Sequence, residues 1–253
     1  LSPVDVKPLL PEIAGPSVVT PQSSPLAEAL DRAFAEPDRS TPRNTRAVVV
    51  MKDGRVIAER YARGIGIGTP LLGFSATKSV MSALSGILVR KGALKLHEPV
   101  PIAAWHGSGR AAITLDHLLR HTAGLALGSS LSASLASALE PVNRMKFIEP
   151  DMAAYAESMP LEGVPGTAWN YHDGNTVILA HVLRRATGDS AAGLMRFARQ
   201  ELFGPLGMQH VSIEFDAGGN ADGSSQMLAS ARDWARFGQL YLDDGVVGGK
   251  RIL

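Results

Sequence analysis

The feature that most constrains this chain is a β-hairpin written into residues 47–61. Ala47 to Met51 is a largely β-branched apolar run, Lys52-Asp53-Gly54-Arg55 carries the turn, and Val56 to Tyr61 returns. A two-stranded ribbon is marginal alone and must gain further strands or a covering layer. The rest of the chain is mostly helical in pattern. Apolar residues recur at helical spacing in 26–36, 75–91, 114–121, 175–186, 190–203 and 230–242. His210 to Phe215 is a short strand candidate, and Ser129 to Ala138 (SSLSASLASA) reads as helix or loop. The expected fold is α/β (α+β), an antiparallel sheet flanked by helices plus a mostly helical section. The strands needed to finish the sheet are expected in a further C-terminal segment of the same protein, separate from these residues.

This order divides the chain into four sections. Residues 1–25 are proline-rich and read as an extended arm. Residues 26–100 form an α/β section with the hairpin and an apolar-faced helix, residues 101–215 a mostly helical section, and residues 216–253 a helix returning to the first. The formal net charge is +1, and no basic cluster is interleaved with aromatics, so nucleic acid is not an expected partner. No apolar run is long enough to span a bilayer. The absence of cysteine removes disulfides, thiolate metal sites and a cysteine nucleophile together.

The chemistry concentrates at Ser75-Ala76-Thr77-Lys78, where the apolar-faced helix begins. Residues three apart on a helix share a face, so a hydroxyl and an amine can meet there. The positive end of the helix dipole would favour a developing oxyanion at Ser75. On this tetrapeptide alone, a serine cap beside a solvated lysine is the better account. Asp116, His117 and His121 offer an i, i+4 histidine pair, but no glutamate lies between the histidines, so structural packing is expected and metal is not. Arg63 to Gly68 mimics a phosphate loop only in composition, because no strand-to-helix crossover surrounds it. Neither a metal nor an organic cofactor is implied.

The surroundings of Ser75 carry a resemblance. Gly73-Phe74-Ser75-Ala76-Thr77-Lys78-Ser79-Val80, with an apolar helix and Lys91-Gly92-Ala93-Leu94 after it, resembles the active-site helix of the β-lactamase and penicillin-binding-protein superfamily. Thr114 to Leu125 is similar to the segment that family carries next, and Pro165-Gly166-Thr167 through Trp169-Asn170-Tyr171-His172-Asp173-Gly174 to its tyrosine motif. Ala229 to Gly238 resembles a later family helix. The likeness is greatest to the branch holding esterases, class C β-lactamases and 6-aminohexanoate-dimer hydrolases.

The resemblance implies a serine hydrolase that cleaves a small ester or amide through an acyl-enzyme. Ser75 would be the nucleophile, with Lys78 as its base and Tyr171 as the third catalytic group; His172 and Asp173 would bind substrate. A non-turnover penicillin-binding or sensing protein with the same fold is the alternative. Asp173 departs from the asparagine of class C enzymes, which implies a preference for small esters or substrates with a cationic end. The family's third motif, on a strand near the C-terminus, is not found in these residues.

Overall fold

The computed structural model describes residues 6–38, 40–128 and 140–253; the Ser129 to Ala138 stretch lies outside them. Helix α1 (Ser24–Phe34) starts with Pro25 in its first turn and precedes the hairpin of β1 (Ala47–Lys52) and β2 (Arg55–Tyr61). Lys52 pairs with Arg55, so Asp53 and Gly54 make the whole turn, with φ of 50° and 75°. Two positive φ values define the mirror-image turn whose twist matches that of the strands.

After β3 (Leu71–Leu72) come α2 (Ala76–Arg90), α3 (Leu115–Leu119), α4 (Pro141–Phe147), α5 (Met152–Ser158) and α6 (Asp173–Ala186). Helix α7 (Ala191–Ala198) continues through a π-helical turn, Arg199–Phe203, into α8 (Gly204–Leu206). The chain then forms β4 (Val211–Ile213), β5 (Met227–Ala229), α9 (Ala231–Leu242), β6 (Val246–Val247) and β7 (Lys250–Arg251).

Sequence reasoning expects no firm strand pairing after Tyr61, and here the structure differs. The His210 to Phe215 candidate becomes β4, which pairs with β5, and β5 pairs on its other side with β3. These strands are two or three residues long, too short for an alternating pattern to register. Their consequence is local: Gly73 N donates to Met227 O at 2.8 Å, so the sheet ends at the foot of α2.

Helix α6 is the centre of the core. Asp173 to Ala180, Val182 and Leu183 are all buried, and α2, α3 and α5 pack around it. Helix α2 contributes Val80, Met81, Leu84, Ile87 and Leu88 to the same core. Burying each such side chain is worth about 1.5–3 kcal/mol, enough to hold the first turn of α2 rigid.

The N-terminal arm lies along β2. Val56 N donates to Ile13 O and Glu59 N to Val19 O, both at 2.9 Å, while Leu9 N and Leu10 N donate to Pro205 O. A buried clamp fixes the arm further. Arg232 of α9 donates to Gly15 O at 2.7 Å, Ser17 O at 2.9 Å and the Glu59 carboxylate, and Tyr61 Oη donates to Glu59 Oε2 at 2.6 Å.

Candidate active site

Ser75 sits where β3 gives way to α2. The preceding Phe74 has φ of 45°, a left-handed conformation that costs a non-glycine residue about 1–2 kcal/mol. That kink leaves Ser75 exposed at the helix start while Ala76 N and Thr77 N bond back to Gly73 O and Phe74 O. Gly73 is required here, because a Cβ on it would lie 2.3 Å from Trp234 Cζ2. Met227 N donates to Thr77 Oγ1 at 3.3 Å and ties the first turn of α2 to β5.

A second loop delivers Tyr171. Gly166 has φ of 87°, and its N–H donates to Thr122 O at 2.7 Å. Asn170 N donates to His121 O at 2.9 Å, and the Asn170 amide donates to Gly128 O and Glu162 Oε1. The tyrosine ring then packs on the His121 ring at 4.7 Å between centroids. Tyr171 Oη hydrogen-bonds Ser75 Oγ at 2.8 Å. The structure therefore brings Ser75, Lys78 and Tyr171 together. Lys78 Nζ lies 3.5 Å from Ser75 Oγ and 4.8 Å from the Tyr171 ring centroid.

Lys78 is held from behind by Asp173 Oδ1 at 2.7 Å and Ser224 O at 2.9 Å. A residue that sequence reasoning misses stands on the other side of that carboxylate. Lys146 of α4 donates to Asp173 Oδ2 at 2.9 Å, Ser225 Oγ at 2.5 Å and Ser224 Oγ at 3.3 Å, and lies 3.4 Å from Asp222 Oδ2. Asp222 in turn accepts from Ser224 N and Oγ and from Ser225 N. Two lysines and two aspartates thus share one buried cluster. Burial alone would push the Asp173 carboxyl up, but Lys78 and Lys146 outweigh it and hold it below the usual carboxylate range.

Of the two residues expected to bind substrate, one is buried and the other lines the cleft. His172 is 1% exposed. Its backbone is extended (φ −149°, ψ 155°), which turns its side chain away from that of its neighbour Tyr171. The ring Nδ1 accepts from Asn175 N at 3.3 Å and caps α6. Burial first, then neighbouring charge, lowers its pKa to about 4, and burial likewise lowers that of His121. Asp173 lines the cleft, and its two oxygens pair with Lys78 and Lys146.

The rival histidine constellation is dispersed. His117 closes the capping box of α3 with Thr114, Asp116 pairs with Arg120, and His121 supports Tyr171. Above Ser75 opens a cleft of about 520 Å³ whose walls include Phe74, Phe147, Trp169, Tyr171 and Lys146.

This mixed α/β fold, with a serine at the foot of a helix and a lysine and tyrosine beside it, is that of the β-lactamase and penicillin-binding-protein serine-hydrolase superfamily. The Beta-lactamase family model matches residues 30–253, and the chain belongs to that family. Its fold is similar to that of a Bacillus anthracis protein assigned to the 6-aminohexanoate-dimer hydrolases, with a TM-score of 0.76 at 23% identity over 99% of this chain and 68% of the other. A D-stereospecific amidohydrolase from Streptomyces sp. matches with a TM-score of 0.64 at 20% identity, over 92% of this chain and 76% of the other. Protein Rv1367c of Mycobacterium tuberculosis is 27% identical over 71% of this chain and 55% of its own length. The chain spans between a third and somewhat over half of the curated relatives it matches.

Proposed function

We propose that this protein is a serine hydrolase that cleaves an ester or amide bond through an acyl-enzyme on Ser75. The observation that carries this reading is the 2.8 Å hydrogen bond from Tyr171 Oη to Ser75 Oγ, with Lys78 Nζ 3.5 Å from the same oxygen. With the Tyr171–Lys78 pair holding one proton fewer than a phenol and an ammonium together, Ser75 Oγ attacks the carbonyl carbon and its proton passes to the pair. The carbonyl oxygen becomes an oxyanion at the N-terminus of α2, where the helix dipole presents about half a positive charge. Collapse expels the alcohol or amine, which takes the proton from the pair; water repeats the attack on the acyl-enzyme and frees Ser75.

The cleft rim supports an uncharged substrate with an apolar group. Phe74, Phe147 and Trp169 are each at least 66% exposed around Ser75, while the acidic groups beneath are matched by lysines. Amide cleavage is kept alongside ester cleavage because the Streptomyces neighbour is an amidohydrolase.

The test is turnover of short p-nitrophenyl esters, nitrocefin and a linear amide dimer by the wild type and by Ser75→Ala. Ser75→Ala is expected to lose at least about 10³-fold in kcat/KM with an unchanged melting midpoint. Retention of more than about a tenth of the activity would assign the chemistry to another residue. A stoichiometric burst without turnover would make the protein an acylated binder instead.

A further inference from the structure

Lys146 is an unusual residue to find beneath a nucleophile. Its side chain is only 9% exposed, and nothing in Pro141–Phe147 marks it apart from the buried Val142 and Met145 on the same short helix. An ammonium is costly to bury unless several acceptors surround it, and Lys146 has them from two elements: Asp173 on α6, and Asp222, Ser224 and Ser225 on the loop entering β5. Both elements also hold Lys78, through Asp173 Oδ1 and Ser224 O. Lys146 thus touches no reacting atom but grips each group that grips Lys78.

Resting on the serine-hydrolase reading above, we propose that Lys146 is a positioning residue whose charge divides Asp173 between two lysines and so eases proton exchange between Lys78 and the Ser75–Tyr171 pair. The electrostatic argument is direct. A carboxylate 2.7 Å from a single lysine stabilises that lysine's ammonium form with its whole charge. A second ammonium 2.9 Å from the other oxygen opposes this and lowers the cost of Lys78 giving up its proton. The other titratable groups facing the cluster do not substitute for Lys146. Asp222 is itself an anion bonded within its own loop, and Tyr171 lies on the substrate side. His121 and His172, whose pKa values are lowered by burial, bring no positive charge at neutral pH.

The experiment measures kcat/KM for p-nitrophenyl acetate from pH 5 to 10, and over the same range the rate at which a fluorophosphonate labels Ser75. Wild type, Lys146→Met, Lys146→Arg and Lys146→Met/Asp173→Asn are compared. Lys146→Met is expected to lose about tenfold or more at pH 7 and to move the acidic limb of both profiles up by about one pH unit. Lys146→Arg keeps the charge and should hold the limb near its wild-type position. In the double variant the carboxylate is gone, so the limb should return towards wild type even where overall activity stays low. If Lys146→Met lowers the rate evenly with an unmoved limb, or changes nothing, the proposal is wrong and Lys146 is only a strut. Should Lys146→Met fail to fold, Lys146→Arg and Asp173→Asn decide: a limb shifted upward by Arg, or unmoved by Asn, overturns the idea. Failure of the hydrolase reading looks different: fluorophosphonate then leaves Ser75 of the folded wild type unlabelled, and this proposal falls with it.

Discussion

Two buried charge clusters in this molecule are built from different cations. The clamp on the N-terminal arm pairs Glu59 with the guanidinium of Arg232, which also donates to Gly15 O and Ser17 O. The cluster under the cleft joins Asp173 and Asp222 to the ammonium groups of Lys78 and Lys146. A guanidinium keeps its charge throughout the accessible pH range and presents donors in a fixed fork, so it suits a permanent tie between strand, helix and arm. An ammonium can surrender a proton, so it suits a place where protons move. The contrast sets a charge group that ties chain segments together against one that, in the proposed function, exchanges protons.

The sharpest way to break the comparison is to remove the exchangeable cation. Lys78→Met is expected to reduce kcat/KM on a short ester by about 10³-fold or more while the melting midpoint moves by only a few degrees. If activity survived, the lysine cluster would be a structural clamp like the other. The reverse experiment is Glu59→Ala, which strands the Arg232 guanidinium. Destabilisation by about 3–5 kcal/mol is expected in urea unfolding, with the activity per folded molecule unchanged. A loss below about 1 kcal/mol would mean that the arm does not depend on the clamp.

Acid weakens both regions, but in different pH windows. Burial would raise the Glu59 carboxyl, but its bonds to Arg232 and Tyr61 outweigh that and leave it lowered. Its contribution is therefore full above the ordinary carboxylate pKa of about 4.3 and is lost as pH falls through the lower folded value. His172 acts at higher pH. Its folded pKa of about 4 lies below the ordinary 6.5, so the unfolded chain takes the proton first and stability declines as pH falls through that interval. His172→Asn retains a capping side chain but cannot titrate; melting curves across the interval should become flatter than those of wild type. The smallest effect is expected at the rim. Trp169→Ala should raise KM for an apolar p-nitrophenyl ester by a few-fold, about 2–5, and leave that for the acetate nearly unchanged.

How much of this is legible in the sequence depends on how far apart the cooperating residues lie. The Ser75–Lys78 pair is local, and helical spacing alone puts both on one face. Tyr171 lies far along the chain, and only the likeness of its flanking motif to a known family points to it. Lys146 has neither signal. It belongs to a seven-residue helix, and its partners come from the start of α6 and from the loop before β5. His172 misleads because adjacency in sequence suggests a shared side, whereas extended backbone sends successive side chains opposite ways. The short strands β3 and β5 escape, and β4 shows only as a short candidate, for a related reason: their stability comes from partners distant in the chain, which no local pattern encodes.

The contact between Gly73 and Trp234 has a consequence for substitution at this turn. The indole occupies the space that any side chain at position 73 would need, 2.3 Å from where its Cβ would be. A single substitution at position 73 would displace either the indole or the turn that carries Ser75. What position 73 can carry is therefore set by the side chain at 234 and by the Met227 carbonyl, 3.1 Å from where a Cβ would be. The turn that carries Ser75 is thereby joined to a helix far along the chain.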